Sequence, residues 1–118
     1  MNKKQLIVAY AILFLLNGCG IVQRNALMRD KYPYYSEHIK RAIDGKYIVE
    51  GMNQEQVYLS VGPTLCRSSS YYKGRQTETW NYQPNPFTGR PSGGTYDCIR
   101  ATQRVYFENG LVVGWDNM

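Results

Sequence analysis

The hydrophobic pattern starts with one uninterrupted apolar run. This run is LIVAYAILFLL, the eleven residues Leu6–Leu16, and it follows the two cations Lys3 and Lys4. Eleven residues are too few to span a bilayer as a helix, which needs about 20. A positive start, a short apolar centre and a small-residue end are typical of a secretory signal. We therefore predict that residues 1–18 are a removable signal peptide.

The end of the run resembles the lipobox of bacterial lipoprotein signals. That motif has a Leu three positions before a cysteine and a small residue directly before it, as Leu16 and Gly18 precede Cys19. Asn17 is a less usual occupant of the middle position. The resemblance implies cleavage before Cys19 and covalent lipid on Cys19, whose several acyl chains give stable anchoring. Gly20 in place of Asp implies delivery to the bacterial outer membrane, facing the periplasm. The alternative is an ordinary secretory signal that contains a cysteine.

The chain after the signal divides into a tether and a folded domain. Residues 19–35 are polar and aromatic without a clear period, which predicts a tether, and residues 36–118 are predicted to form the domain. The domain begins with SEHIKRAIDG, where the apolar residues have helical spacing. Ser36 is a favourable N-cap and Gly45 is typical of a helix end. This segment therefore predicts a first short helix.

A second helix is indicated by GMNQEQVYLSVGP, from Gly51 to Pro63. Asn53 and Gln56 match a capping box, in which each side chain binds the backbone amide of the other residue. Gly62 and Pro63 are typical of a helix end. A helix of about two turns is unstable alone in water, so it must pack on another part of the domain.

Three later segments are predicted to be strands. They are QTETWNYQ at 76–83, the stretch 98–107 and LVVGWDN at 111–117. The Pro/Gly-rich segment from Pro84 to Gly94 predicts a long loop, and the serine run Ser68–Ser70 also has the composition of a loop. The predicted fold class is α+β, with two short helices packed on a three-stranded antiparallel sheet.

The last two strands predict a hairpin with a defined register. A three-residue turn, Glu108–Gly110, would pair Phe107 with Leu111 and Val105 with Val113. The five large apolar residues of the two strands would then share one face: Val105, Phe107, Leu111, Val113 and Trp115. We therefore predict this turn, with Gly110 left-handed at a bulge.

The cysteines can be assigned once Cys19 is lipidated. Cys66 and Cys98 remain as an even pair in an oxidising compartment, which predicts a disulfide. The alternative is two buried free thiols. No metal site is predicted, because the two cysteines and the single His38 lack the spacing of metal ligands.

Composition narrows the classes of function. The formal charge is +5, and loss of Lys3 and Lys4 with the signal leaves +3, so nucleic acid is not an expected partner. One histidine, no zinc spacing and no phosphate loop argue against an enzyme, so no catalytic residue and no cofactor other than lipid is predicted. The eleven tyrosines favour contact with a partner or packing around a small core. Tyr71, Tyr72 and Phe87 are the predicted partner contacts.

Several of these features together resemble the SmpA/OmlA (BamE-like) family of small outer-membrane lipoproteins. The motif GMxxEQVxxxxGxP is matched at Gly51, Met52, Glu55, Gln56, Val57 and Gly62, with Pro63 one position early. The sheet half is matched at Trp80, Tyr82, Phe107 and Gly110. The similarity covers Ile48 to Asp116, while the Pro84–Gly94 loop and the cysteine pair depart from the family pattern.

The resemblance implies a fold like half of a β-lactamase-inhibitor protein and an accessory role in the cell envelope. The expected function is that of a lipid-anchored accessory or scaffold protein in outer-membrane protein assembly or envelope integrity. Its expected partner is an envelope complex, such as the β-barrel assembly machinery. The alternative is a binding module that inhibits a periplasmic enzyme or serves as a secretion-system or cell-wall adaptor.

Overall fold

The computed structural model describes residues 19–92 and 98–118. The predicted signal peptide, residues 1–18, lies outside the described residues, as does the end of the predicted loop at Gly93 and Gly94. The chain divides into two compact units between Tyr34 and Tyr35.

The first unit is helical in its described part. Helix α1 spans Cys19–Asp30, and a 3-10 turn spans Tyr32–Tyr34. An ion pair joins Arg29 and Asp30 at 2.8 Å, but it is exposed and contributes little stability. The segment predicted as a tether is thus largely helical, and its role as a tether stays a prediction.

The second unit has α+β architecture, as predicted from the sequence. Its elements are α2 (Glu37–Gly45), α3 (Gln54–Val61), β1 (Cys66–Tyr72), β2 (Arg75–Pro84), β3 (Pro91–Ser92), β4 (Gln103–Glu108) and β5 (Leu111–Asp116). Strands β1, β2, β4 and β5 form, in that order, an open antiparallel sheet, and the two-residue β3 pairs with the end of β2. The sheet has four strands where three were predicted.

The additional strand is β1, which includes the serine run. All its residues except Cys66 are exposed, so its sequence has none of the apolar alternation that predicts a strand. Pairing with β2 defines it, from Cys66 opposite Asn81 to Tyr72 opposite Arg75. The connecting turn is Lys73 and Gly74, both with positive φ, as a two-residue hairpin turn requires. The prediction of a loop here is wrong because a neighbouring strand imposes the structure.

Both predicted helices are confirmed, and the caps of α2 differ in detail. Ser36 lies at the N-cap of α2, but its hydroxyl pairs with Nδ1 of His38 at 3.1 Å and not with a backbone amide. Gly45 is the last helical residue, and Lys46, with φ 58°, forms the left-handed C-cap. In α3 the capping box is complete: the Gln56 amide donates to Asn53 Oδ1 at 2.8 Å, and the Asn53 amide donates to Gln56 Oε1 at 2.9 Å.

The core lies against one face of the sheet. Its fully buried apolar residues are Ala42, Met52, Val57, Tyr82, Val105 and, at 1–2% exposure, Leu59, Phe107 and Val112. The rings of Trp80 on β2 and Phe107 on β4 lie 4.8 Å apart, in the tilted geometry that aromatic pairs favour. The Tyr82 hydroxyl donates to the Gly62 carbonyl at 2.9 Å, and burial raises the pKa of Tyr82 far above its ordinary value. The helix end at Gly62 is thus bound to the sheet.

The β4–β5 turn contradicts the prediction of three residues. Glu108 pairs with Leu111, so the turn contains only Asn109 and Gly110. Their φ values of 49° and 81° are both left-handed, as in a type I′ turn. The left-handed conformation predicted for Gly110 is confirmed.

The bulge of this hairpin lies inside β5. Phe107 pairs with Val112 while Tyr106 pairs with Gly114, so Val113 is an extra residue between the two pairs. The five apolar residues therefore do not share one buried face. Val112 is buried in place of Leu111 and Val113, which are exposed.

Candidate functional site

A disulfide joins Cys66 and Cys98, with their Cα atoms 5.4 Å apart. Cys66 is buried at the start of β1, and Cys98 lies exposed in the turn before β4. The bond ties the edge strand to the segment that leads into the centre of the sheet. Cys19 is consequently the one cysteine of the chain outside this pair.

Cys19 begins α1, and its side chain is outside the described part of the structure, as are Leu16, Asn17 and Gly18 of the lipobox. The lipid on Cys19 therefore stays a prediction. Within residues 19–92 and 98–118, no helix is long and apolar enough to cross a membrane.

The predicted contact Phe87 lies at the tip of a compact loop between β2 and β3. Asn85 organises this loop, because its Oδ1 accepts the Phe87 amide at 2.8 Å and its backbone amide donates to the Arg90 carbonyl at 2.7 Å. Gln103 Nε2 donates to the Gly89 carbonyl at 2.7 Å and so binds the loop to β4. Phe87 itself is 94% exposed. The loop thus exposes one aromatic ring, while hydrogen bonds fix its backbone.

The predicted contacts Tyr71 and Tyr72 lie elsewhere, at the exposed end of β1. Lys73 Nζ lies 5.3 Å from the Tyr72 ring centroid, a cation–π distance. Since β1 and β5 are the two outer strands of the sheet, these tyrosines and β5 lie at opposite edges. The fold separates them from the surface described next.

A cavity of about 400 Å³ lies where the end of α2, the Phe87 loop and the end of β5 meet. Its lining includes Lys46, Tyr47, Arg90, Pro91, Trp115 and Met118. We call it the Trp115 cavity. Tyr47 is 48% exposed and Trp115 is 42% exposed, so the lining of this cavity contains two partly exposed aromatic side chains.

Two local features place cations on the cavity. The left-handed cap of α2 puts Lys46 at its lining, and Arg90 Nη1 donates to the Gly45 carbonyl at 3.4 Å. That carbonyl belongs to the last turn of α2, the end of a helix that attracts cations. No acidic side chain is present among the described lining residues. The cavity is therefore cationic with aromatic walls.

The described lining of the Trp115 cavity contains no His, Cys, Asp or Glu. Within the described ranges 19–92 and 98–118, no group of three or more His, Cys, Asp or Glu residues could hold a metal ion. His38, the single histidine, is exposed beside Ser36 at the start of α2, and it is not among the described lining residues of the cavity. The geometry of the Trp115 cavity fits non-covalent binding of an apolar group together with a negative charge.

No pattern in the sequence indicates Arg90, Tyr47 or Trp115 as site residues. Trp115 was assigned to the buried face of the hairpin, whereas β5 is an outer strand and leaves it partly exposed. Tyr47 and Arg90 are 43 positions apart in a chain of 118 residues and become neighbours only through tertiary packing. The one available signal was the departure of the Pro/Gly loop from the family pattern.

The fold and the cavity define a small, disulfide-linked α+β domain with an exposed, cationic, aromatic surface. No family model, curated protein or solved structure matches the chain.

Proposed function

We propose that the chain is a lipid-anchored accessory or scaffold protein of the bacterial outer membrane, facing the periplasm and acting in outer-membrane protein assembly or envelope integrity. The observation that carries the proposal is the cysteine arrangement. Since Cys66 and Cys98 form a disulfide with each other, the thiol of Cys19 remains to carry the lipid, three positions after the eleven-residue apolar run. A disulfide also fits an oxidising compartment such as the periplasm.

The resemblance to the SmpA/OmlA (BamE-like) family supports the assembly role within this proposal. Residues that carry the resemblance have structural positions here: Gln56 belongs to the capping box of α3, and Trp80 and Phe107 pack in the core. Such residues determine the fold, but they do not identify the binding surface. The role of scaffold is supported instead by the exposed aromatic groups Phe87, Tyr47 and Trp115.

The second candidate is a binding module that inhibits a periplasmic enzyme or serves as a secretion-system or cell-wall adaptor. The observation that favours it is Phe87, whose ring projects from a loop held by hydrogen bonds at Asn85 and Gln103. The backbone that carries this side chain is hydrogen-bonded before binding, so the loop loses little conformational entropy on binding. Such side chains are typical anchors of interfaces.

Mild cross-linking in intact cells, followed by purification, distinguishes the two candidates. We expect components of the β-barrel assembly machinery among the cross-linked products, with a weaker yield from the Phe87→Ala chain. Tyr34→Ala is the matched control, because Tyr34 is also largely exposed but lies in the first unit. Recovery of only a hydrolase or a secretion subunit would contradict the assembly role and support the second candidate.

A further inference from the structure

We propose that the Trp115 cavity binds an extended, acidic peptide segment of a partner protein, inserting one large apolar side chain between Tyr47 and Trp115. This inference deepens the proposed scaffold function and rests on it for the existence of a partner. It names the surface and the chemistry of the segment that the surface fits.

The charge of the cavity favours an acidic segment. Lys46 and Arg90 line it, both are exposed, and neither pairs with a carboxylate among the described residues. The exposed arginine Arg75, in contrast, forms an ion pair with Glu108, with Arg75 Nε 3.6 Å from Glu108 Oε1. Two cations without a carboxylate partner create a positive potential that carboxylates of a ligand can satisfy. Arg90 Nη1 donates to the Gly45 carbonyl at 3.4 Å, which places its guanidinium beside the end of α2.

The walls of the cavity favour a large apolar side chain beside those carboxylates. Tyr47 and Trp115 are nearly half exposed, and Pro91 and Met118 complete the apolar lining. Partly exposed Trp and Tyr side chains at a concave surface are the residues that dominate binding energy at interfaces. A volume of about 400 Å³ accommodates side chains of a peptide and lies at the small end of ligand pockets.

The neighbouring edge of the sheet favours a peptide as the occupant. β5 is an outer strand, and among the described residues its outer side pairs only at Leu111 with Asn53 and at Val112 with Gly51 and Met52. From Val113 to Trp115, no described part of the chain pairs with the outer side of β5, so an added strand can pair there. An extended peptide can hydrogen-bond to such an edge through its main chain while its side chains enter pockets. An anionic lipid headgroup has no peptide main chain and cannot pair along that edge as a strand.

Fluorescence anisotropy on the full chain in detergent micelles tests this inference. The probe is a labelled synthetic peptide that alternates glutamate with valine and carries one central tryptophan. A matched peptide has glutamine at every glutamate. We expect the acidic peptide to bind more weakly as salt rises, because its ion pairs are exposed and screened, and we expect the glutamine peptide to bind at least tenfold more weakly.

Variants assign the binding to the cavity. Arg90→Gln should weaken binding of the acidic peptide by about tenfold, and Trp115→Ala should weaken it by about 30-fold, the effect of losing an anchor residue. Arg41→Gln and Tyr34→Ala are the matched controls, because both residues are exposed and outside the cavity lining. Arg90→Glu should reverse the preference, so that a peptide with lysine at each glutamate position binds better than the acidic peptide.

The reversed preference keeps the test informative if Trp115→Ala unfolds the chain. Equal binding of the glutamine and acidic peptides would overturn the inference, as would wild-type affinity in the Arg90 variants. Binding of phosphatidylglycerol vesicles that is lost in Arg90→Gln, without binding of any peptide, would assign the cavity to a lipid and also overturn it. Cys19→Ala should bind the acidic peptide like the wild type, so failure of the anchor and failure of the cavity are separate results.

Discussion

Cys98→Ser should lower the free energy of unfolding of the domain by about 3–4 kcal/mol, because it opens the disulfide loop. The two cysteines are 32 positions apart, and closure of a loop of this length restricts the unfolded chain. Cys98 is exposed, so serine at this position leaves no cavity in the core. Urea denaturation of the oxidised wild type and the variant measures the difference. In a domain of this size, such a loss is a large share of the total stability.

Reduced wild type is the control for this prediction. It should unfold at the same urea concentration as Cys98→Ser, because the two share the open loop and differ only at an exposed atom. Cys19→Ala should unfold like the oxidised wild type, since Cys19 lies outside the disulfide. Equal midpoints for Cys98→Ser and oxidised wild type would show that the disulfide does not support the fold.

Phe107→Ala should lower the free energy of unfolding by about 3–5 kcal/mol, the usual cost of removing a buried aromatic ring. Phe107 is 2% exposed, and its ring centroid lies 4.8 Å from that of Trp80. Alanine therefore removes buried apolar area and leaves a hole beside Trp80. Chemical denaturation followed by circular dichroism measures the loss.

Phe87→Ala is the matched control, because the same ring is removed at a position that is 94% exposed. Its free energy of unfolding should stay within about 0.5 kcal/mol of the wild type, as is usual for surface substitutions. A large loss from Phe87→Ala together with a small loss from Phe107→Ala would contradict the position of the core.

The elements that the sequence predicted correctly are those with local signals. Helix α3 follows from the reciprocal bonds of Asn53 and Gln56, which involve residues three positions apart. Strand β2 follows from its alternation around Trp80 and Tyr82, which both face the core. In such cases the local pattern and the tertiary packing favour the same structure.

The elements that it missed depend on pairing between distant residues. β1 has no apolar period and forms because β2 offers a partner for each of its residues. The hairpin was predicted on the assumption of uninterrupted alternation, whereas the bulge at Val113 shifts the alternation within β5. The Trp115 cavity combines a helix cap, a loop and an outer strand, and no local pattern brings these three together.

Metabolic labelling with palmitate tests whether the chain is anchored by lipid on Cys19. We expect the wild type and Cys98→Ser to take up label and to sediment with the outer membrane. Cys19→Ala should take up none and leave the membrane fraction, because the thiol that accepts the lipid is absent. Label on Cys19→Ala, or a wild type without label, would show that Cys19 does not carry the lipid.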